Sequence, residues 1–278
     1  MTVGYIGNGK SANRYHIPFV LQRQDKIKIK MIYTLDHSRD IWDEIPGVFY
    51  TENLDELLND KDIQVIVIST PSAFHYDYAK MVLHAGNHCV VEKPFADTYQ
   101  QAQEIFELAK QKNLTVECYQ NRRFDSDFLT VQKVIESGKL GDLLELEMHF
   151  DYYRPHIPES VYEFSAINSY LYGHGCHTLD QVISYFGKPD HIHYDVRQLL
   201  GIGRMNDYFD LDLYYGTLTY YDENNIYHEE KVISVNGDYG RYYDDLYETI
   251  INNAKPLVTP EQTLLQIEIL EKGIVGLK

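Results

Sequence analysis

Two short stretches of this chain hold residues whose types and spacing could do chemistry together. Glu92-Lys93-Pro94 closes the apolar run Cys89-Val90-Val91, and Val3-Gly4-Tyr5-Ile6 runs into Gly7-Asn8-Gly9-Lys10-Ser11-Ala12. Gly7-x-Gly9-x-x-Ala12 has the spacing of a dinucleotide-type phosphate turn. The first glycine permits the tight turn, the second lets the backbone approach a diphosphate, and Ala12 lets helix pack on strand. The helix that follows offers free N–H groups and a positive dipole end, and Lys10 and Arg14 add local positive charge. In open parallel sheets ligands sit outside the carboxyl ends of the strands. Lys93, just past one strand, and the glycine turn, just past another, are therefore expected to face one crevice, with Glu92 and Lys93 beside whatever the turn holds.

Two further groups stand at comparable places. Ser69-Thr70-Pro71 ends another apolar run, with His75 four residues beyond the proline. Thr70 and Pro71 suit support for a ligand at the same sheet edge, and His75 is either a further contact or a polar residue in a first helical turn. Gly173-His174-Gly175-Cys176-His177-Thr178-Leu179-Asp180 puts His174 and His177 at i, i+3 with Asp180 one turn on. Such a set can suggest a metal, but the two glycines and the short spacing argue against a preformed cage, and no metal is expected.

The elements that must position these groups alternate strand and helix through residue 118. Apolar runs lie at Val3–Ile6, Ile27–Tyr33, Val65–Ser69, Cys89–Val91 and Thr115–Cys118, with a weaker one near Val48–Tyr50. Asn53 with Glu56 and Thr98 with Gln101 read as capping boxes of intervening helices, and Ala102, Ile105, Phe106 and Ala109 share a helical face. That alternation implies βαβ units and a mainly parallel sheet. After residue 118 a helix is expected from about Asp125-Ser126 to Gly138. Leu144 to Asp151 alternates with period two, as a half-exposed strand does, with Leu144, Leu146, Met148 and Phe150 inward. Further strands are expected at Ile192–Val196, Leu211–Tyr215, Leu218–Tyr221 and Tyr227–Ser234, and a last helix from the Thr259-Pro260-x-Gln262 signature through Leu270. The fold class is α/β: a doubly wound parallel-sheet domain over 1–118 and an α/β domain with a largely antiparallel open sheet over 119–278.

Composition narrows the partners. The formal net charge of -17 argues against nucleic acid or an anionic membrane surface. An anionic ligand must therefore be held by local features. Cys89, Cys118 and Cys176 show no paired spacing and read as reduced thiols, the first two in apolar runs. The first strand begins at residue 3, which leaves no room for a signal peptide, and no apolar run reaches membrane-spanning length; the cytoplasm is the expected location. Tyrosine, 25 residues crowded into the second half, suits a polar pocket or an interface.

Taken in order and at their separations, Gly7–Ala12, Thr70-Pro71 with His75, Glu92-Lys93-Pro94 and Gly173–Asp180 resemble the glucose–fructose oxidoreductase, inositol dehydrogenase and MocA (Gfo/Idh/MocA) family. Tyr119–Asp125, Asp151–Pro155 and Gly237–Gly240 are similar to its branch containing scyllo-inositol dehydrogenase. The resemblance spans nearly the whole chain. It implies hydride transfer between a nicotinamide and a hydroxyl or keto carbon of a sugar or cyclitol, and subunit contacts through the second sheet, hence a homodimer or larger homo-oligomer. Lys93 matches the family's active-site lysine, with a Lys93-Pro94 bond that is commonly cis, and His177 the second-domain histidine. Removing a hydride requires that the hydroxyl proton leave, so the site needs a proton acceptor and a cation for the developing alkoxide. Lys93 and His177 are thus the catalytic candidates. The cofactor would be held by Gly7, Asn8, Gly9, Lys10, Ser11, Ala12, Thr34, Thr70, Pro71, His75, Glu92 and Lys93. Substrate would be met by Lys93, Asn121, Arg122, Tyr152, Arg154, His174 and His177. Arg122, Arg123 and Arg154 are equally suited to ion pairs, and Asp180 either orients His177 or anchors its helix. At the expected tip of the second strand Thr34 stands where an acid would favour NAD, with Asp36 later and His37 and Arg39 available for a phosphate; NAD(P) is implied, leaning to NADP.

Two departures limit the resemblance. Gly173 stands where many relatives have an aspartate four residues before the histidine, which shifts the burden to Lys93 with His177. Beyond Leu211–Gly216 the family usually has several more strands and a long loop, whereas Thr217 follows at once here. Either the second sheet is reduced or a segment is lacking from the sequence at Gly216-Thr217, and the latter is expected. Two alternative functions stay open: an NAD(P)-binding regulatory or sensor protein without chemistry, and an NAD-dependent glycosidase in which the cofactor is recycled.

Overall fold

The computed structural model describes residues 1–39, 41–149, 169, 171–194 and 215–275. Its centre is a six-stranded sheet of β1 (Thr2–Ile6), β2 (Lys28–Tyr33), β3 (Phe49–Thr51), β4 (Val65–Ile68), β5 (His88–Val91) and β6 (Val116–Cys118). The spatial order is β3-β2-β1-β4-β5-β6 and every pairing is parallel, the doubly wound order with its switch point between β1 and β4. Strands buried on both faces need continuous apolar runs, and Val65, Ile66, Val67 and Ile68 are all fully buried. Register aligns Ile6 with Tyr33 and Ile68, Ile68 with Val91, and Val91 with Cys118. Residues 7, 34, 69, 92 and 119 therefore leave the sheet along one edge.

The connecting helices follow local chemistry in most places. Helical backbone runs from Lys10 to Leu21, with a π-type turn at Ala12–His16 leading into α1 (Ile17–Leu21). Helix α4 (Tyr99–Gln111) buries Ala102, Ile105 and Ala109. At its start Thr98 accepts from the Gln101 amide, 3.2 Å, while the Gln101 side chain reaches back one residue further, to the Asp97 amide. The box expected at α2 (Leu54–Asn59) does not close. Asn53 accepts from Asp55 N, but the Glu56 carboxylate is taken by the Thr51 hydroxyl at 2.5 Å. Helix α3 (His75–Ala85) ends on Gly86 in the left-handed region, φ +93°, where glycine costs least.

The second part comprises α5 (Ser126–Glu136), a π-type turn at Leu171–Gly175 leading into α6 (Cys176–Phe186), the antiparallel pair β7 (Tyr215–Tyr221) and β8 (Tyr227–Ile233), α7 (Gly240–Asn252) and α8 (Pro260–Ile274). The α8 capping box forms in full between Thr259 and Gln262. Two strand expectations fail. Residues 143–149 have no strand, and Leu144 is 95% exposed; period-two alternation gives a strand only where a neighbouring edge supplies its hydrogen bonds, and none of the described strands pairs with this segment. Residues 192–194 are likewise outside any strand. Phe150, Asp151 and residues 195–214 lie outside the described residues. Strand β7 runs unbroken through Gly216-Thr217, opposite Val232 and Lys231.

The two parts share one apolar core. Tyr119, Tyr172 and Cys176, then Tyr242, Tyr243 and Leu246 of α7 and Ile267, Leu270 and Ile274 of α8, join the cluster built on the parallel sheet. Cys89, Cys118 and Cys176 are all free and buried. Among the described residues no helix is long and apolar enough to cross a membrane.

Candidate active site

The glycine turn is shaped by two different demands. Gly7 has φ +105°, and a Cβ there would lie 2.8 Å from Ser69 O, so both conformation and space require glycine. Gly9 is the opposite case: an added Cβ would meet nothing within 4 Å. The protein itself does not need glycine at that place, whereas close approach of a diphosphate does. Ala12 is fully buried, and Asn13 closes the turn through its side-chain amide to Asn8 O, Asn8 Oδ1 and Gly9 O. At the end of β4 the Thr70 hydroxyl is buried and has no hydrogen-bond partner. An open cradle above Gly9 and an unmatched hydroxyl across the switch point fit a dinucleotide lying along this edge.

His75, read as either a further contact or a polar residue in a first helical turn, is the buried first residue of α3. Its ring nitrogens lie 2.8 Å from Pro94 O and 3.0 Å from Thr70 O, and burial pulls its pKa down. It fastens the loop after β4 to the loop after β5. Thr34 leaves β2 nearly buried, its N–H given to Thr51 O at 3.0 Å. Beyond it Asp36 accepts from the Ser38 amide, while His37 is flanked by carboxylates, its N–H 2.7 Å from Glu52 and its ring nitrogen 2.9 Å from Glu44.

Lys93 stands where the two parts meet. Its Nζ donates to Gly173 O in the π-type turn before α6, 2.9 Å away, and the Lys93-Pro94 peptide is cis. Glu92 turns inward and is buried. Burial favours its neutral acid, but His16 and the Ser11 hydroxyl outweigh burial, and Lys93 adds to them; the carboxyl is brought down to about 2 and is ionised. Oxygen Oε1 meets His16 Nε2 at 2.9 Å and accepts from Ser11 Oγ, while Oε2 accepts from the Lys93 amide at 2.9 Å. The other His16 nitrogen lies 2.6 Å from the Tyr243 hydroxyl, and Tyr119 stacks on the imidazole at 3.8 Å between ring centroids.

His177, 4% exposed, stands in the first turn of α6, just past the Gly173 carbonyl that Lys93 meets. Burial, then the charges of Lys93, Arg122 and His174, hold its pKa well below the ordinary value, so it is neutral near pH 7 and can accept a proton only weakly. Asp180 does not orient that ring. Both of its oxygens are taken by Arg123, at 2.7 Å each, so that Arg123 and Asp180 form a buried anchor of α6. Arg123 also donates to Leu257 O at 2.8 Å, and Arg122 pairs with Asp125 at 2.8 Å. Asn121 is buried in the turn after β6. The Cys176 thiol, raised to about 12 chiefly by burial, is not a nucleophile at neutral pH. Tyr152 and Arg154 lie outside the described residues. Among the described residues no three His, Cys, Asp or Glu side chains converge as a metal would need.

Sequence reading missed His16, Tyr243 and Gln266, the last of which donates to Cys176 O at 2.7 Å and accepts from Gln120 at 2.9 Å. The one signal at His16 was a histidine directly before the apolar run Ile17-Pro18-Phe19-Val20.

A parallel sheet in this order, a glycine turn after β1 open at its second glycine and a lysine after β5 fit a nicotinamide-dinucleotide oxidoreductase, and known proteins agree. Residues 1–120 match the oxidoreductase family with an NAD-binding Rossmann fold, and residues 128–243 match the GFO/IDH/MocA C-terminal domain. The uncharacterized oxidoreductase YhhX of Escherichia coli is 38% identical over 328 aligned positions, covering 97% of this chain and 94% of that protein. A solved structure of the probable oxidoreductase yhhX superposes with a TM-score of 0.88 at 37% identity, covering 99% of this chain and 96% of that one. The scyllo-inositol 2-dehydrogenase (NADP(+)) IolW of Bacillus subtilis is 32% identical over 217 positions, 78% of this chain and 60% of that protein. The chain belongs to the Gfo/Idh/MocA family of oxidoreductases. Alignment with YhhX needs more positions than the 278 residues present here, so that relative carries segments this chain lacks.

Proposed function

We propose that this oxidoreductase transfers a hydride between NAD(P) and a hydroxyl or keto carbon of a sugar or cyclitol, with Lys93 as its acid–base residue. The bound nicotinamide supplies the hydride acceptor or donor; the remaining work belongs to the chain. In this reading residues 1–118 bind the cofactor and 119–278 bind substrate. The backbone at Gly7, Asn8, Gly9, Lys10, Ser11 and Ala12 holds the diphosphate, Thr34 meets the adenosine ribose, Thr70 and Pro71 flank the nicotinamide, and His75 keeps their loop in place from behind. Lys93 borders the nicotinamide ribose, and Glu92, buried with both oxygens taken, holds the Lys93 backbone amide from within. Asn121, Arg122, His174 and His177, with Tyr152 and Arg154, border the substrate.

The observation that carries this reading is the Lys93 ammonium, 2.9 Å from Gly173 O and so directed from the cofactor edge across to α6. A cation at that point can stabilise an alkoxide and exchange its proton. His177, kept neutral, accepts or donates a hydrogen bond without adding charge. Support for the cofactor's form divides. The name of IolW favours NADP, whereas Glu44 and Glu52 around His37 disfavour a 2′-phosphate; parallel titrations with NADH and NADPH decide. Lys93→Met tests the whole reading. In a panel of cyclitols and hexoses turnover is expected to fall about 10²–10⁴-fold, with the cofactor Kd little changed. Turnover that survives Lys93→Met overturns the assignment. Gel filtration of the intact chain tests the homo-oligomer that the family resemblance implies.

A further inference from the structure

The buried triad His16, Glu92 and Tyr243 is not needed to explain cofactor binding, and it is costly. His16 is fully buried, Glu92 is 6% exposed, and Tyr243 is fully buried. An ionised carboxylate removed from water is retained only where its oxygens are matched, and an apolar trio of similar volume would pack the same space more cheaply. The way the carboxylate is divided points to a purpose. One oxygen holds His16 and Ser11, both on the helical segment that follows the glycine turn; the other holds the backbone N–H of Lys93. Glu92 is thus a brace between the turn that would cradle a diphosphate and the residue that would do the chemistry.

His16 is the part that fixes the brace. Tyr119, one residue past β6, stacks on its face, and the Tyr5 ring meets it edge-on at 6.1 Å between centroids. Tyr243, from α7 of the second part, closes its remaining nitrogen at 2.6 Å and touches Tyr5 at 3.3 Å between hydroxyl oxygens. The imidazole has no freedom to rotate without breaking two hydrogen bonds and a stack. Its π-type turn, Ala12–His16, is the kind of local widening that recurs at functional sites. We infer that His16 is a positioning residue for Lys93, acting through Glu92, and that Tyr243 secures it from the second part of the chain. This rests on the reading of Lys93 given under Proposed function.

The test needs no substrate. Competitive acylation with acetic anhydride, followed by mass spectrometry, gives the reactivity of Lys93 relative to Lys110 on α4 and Lys112 at its C-cap, with and without saturating NADH or NADPH, whichever binds more tightly. In the unaltered protein the cofactor is expected to protect Lys93 selectively, by about tenfold. In His16→Phe, which keeps the stacked ring and removes both nitrogens, the cofactor Kd is expected to stay within about threefold, because backbone amides of the glycine turn, not the His16 ring, would hold the diphosphate. Protection of Lys93 is expected to fall to about twofold or less, since small displacements at a reacting group have large effects. His16→Gln, which can restore a donor toward Glu92, is expected to recover part of the protection; a purely structural role would change all lysines together. Should His16→Phe not fold, Tyr243→Phe removes a single oxygen and is expected to lose part of the protection. Full protection in the folded variant overturns the inference, and so does loss of cofactor binding in a folded His16→Phe protein, which would make His16 a binding residue. Absence of protection in the unaltered protein instead removes the reading of Lys93 itself, and the inference with it.

Discussion

The junction between the two parts of the molecule and the β7–β8 hairpin use charge in opposite ways. At the junction ionic groups are buried and matched atom by atom. Arg123 takes both oxygens of Asp180, and Glu92 divides its oxygens between His16 with Ser11 and Lys93. At the hairpin Lys139 reaches Glu230 from outside it, and His228 lies 2.9 Å from Asp222, all in contact with solvent, while Ile226, Tyr227 and Ile233 are more than half exposed. Removed from water, a charge constrains its neighbours because leaving it unmatched is expensive. In solvent the same pair is screened and holds little. The geometry on which the proposed chemistry rests lies in the first region.

Stability measurements can break this comparison, and the largest effect is expected at the anchor. Asp180→Ala leaves the Arg123 guanidinium buried without its carboxylate and is expected to cost about 3–5 kcal/mol in denaturant unfolding. A loss under 1 kcal/mol would mean that water reaches the site. Next comes Glu117 on β6, whose carboxyl is raised to about 7, mainly by burial. With the folded value above the ordinary 4.5, its favourable state is present below 4.5 and is lost as pH rises through 7. Glu117→Gln should therefore stabilise the protein by roughly 3 kcal/mol at pH 8 and by almost nothing at pH 4.5. Glu92 has the reverse sign: its folded value near 2 contributes stability above 4.5 that disappears as pH falls toward 2. Thr259→Ala removes the α8 capping box and should cost about 1 kcal/mol. Smallest of all, Lys139→Ala should leave the thermal midpoint where it was. If Lys139→Ala and Asp180→Ala moved the midpoint equally, the distinction between the two regions would fail.

What could be read from sequence followed the range over which each feature is determined. The alternation of apolar runs and helices gave the parallel sheet, because a strand buried on both faces announces itself in its own residues. Gly7 and the Thr259–Gln262 box were legible for the same reason, since their partners lie within a few positions or the conformation is local. The Leu144 strand was misread because alternation specifies a face but not a partner. The capping box at Asn53 was misread because Thr51, just outside the motif, competes for Glu56. His16 was invisible, since its partners Glu92 and Tyr243 lie 76 and 227 positions away. Asp180 was half legible: helical spacing brought it near His177, but only the fold supplies Arg123.

The acceptor that Lys93 uses in the second part of the chain is a main-chain oxygen. Apart from proline, which would lose the Gly173 N–H given to Ser169 O at 2.8 Å, other amino acids at position 173 would present that same oxygen, and the added Cβ would meet open space. Evolution can therefore redraw the wall beside the ammonium without untying it. A change in the length of the Leu171–Gly175 turn, an insertion or a deletion, would carry that oxygen out of reach.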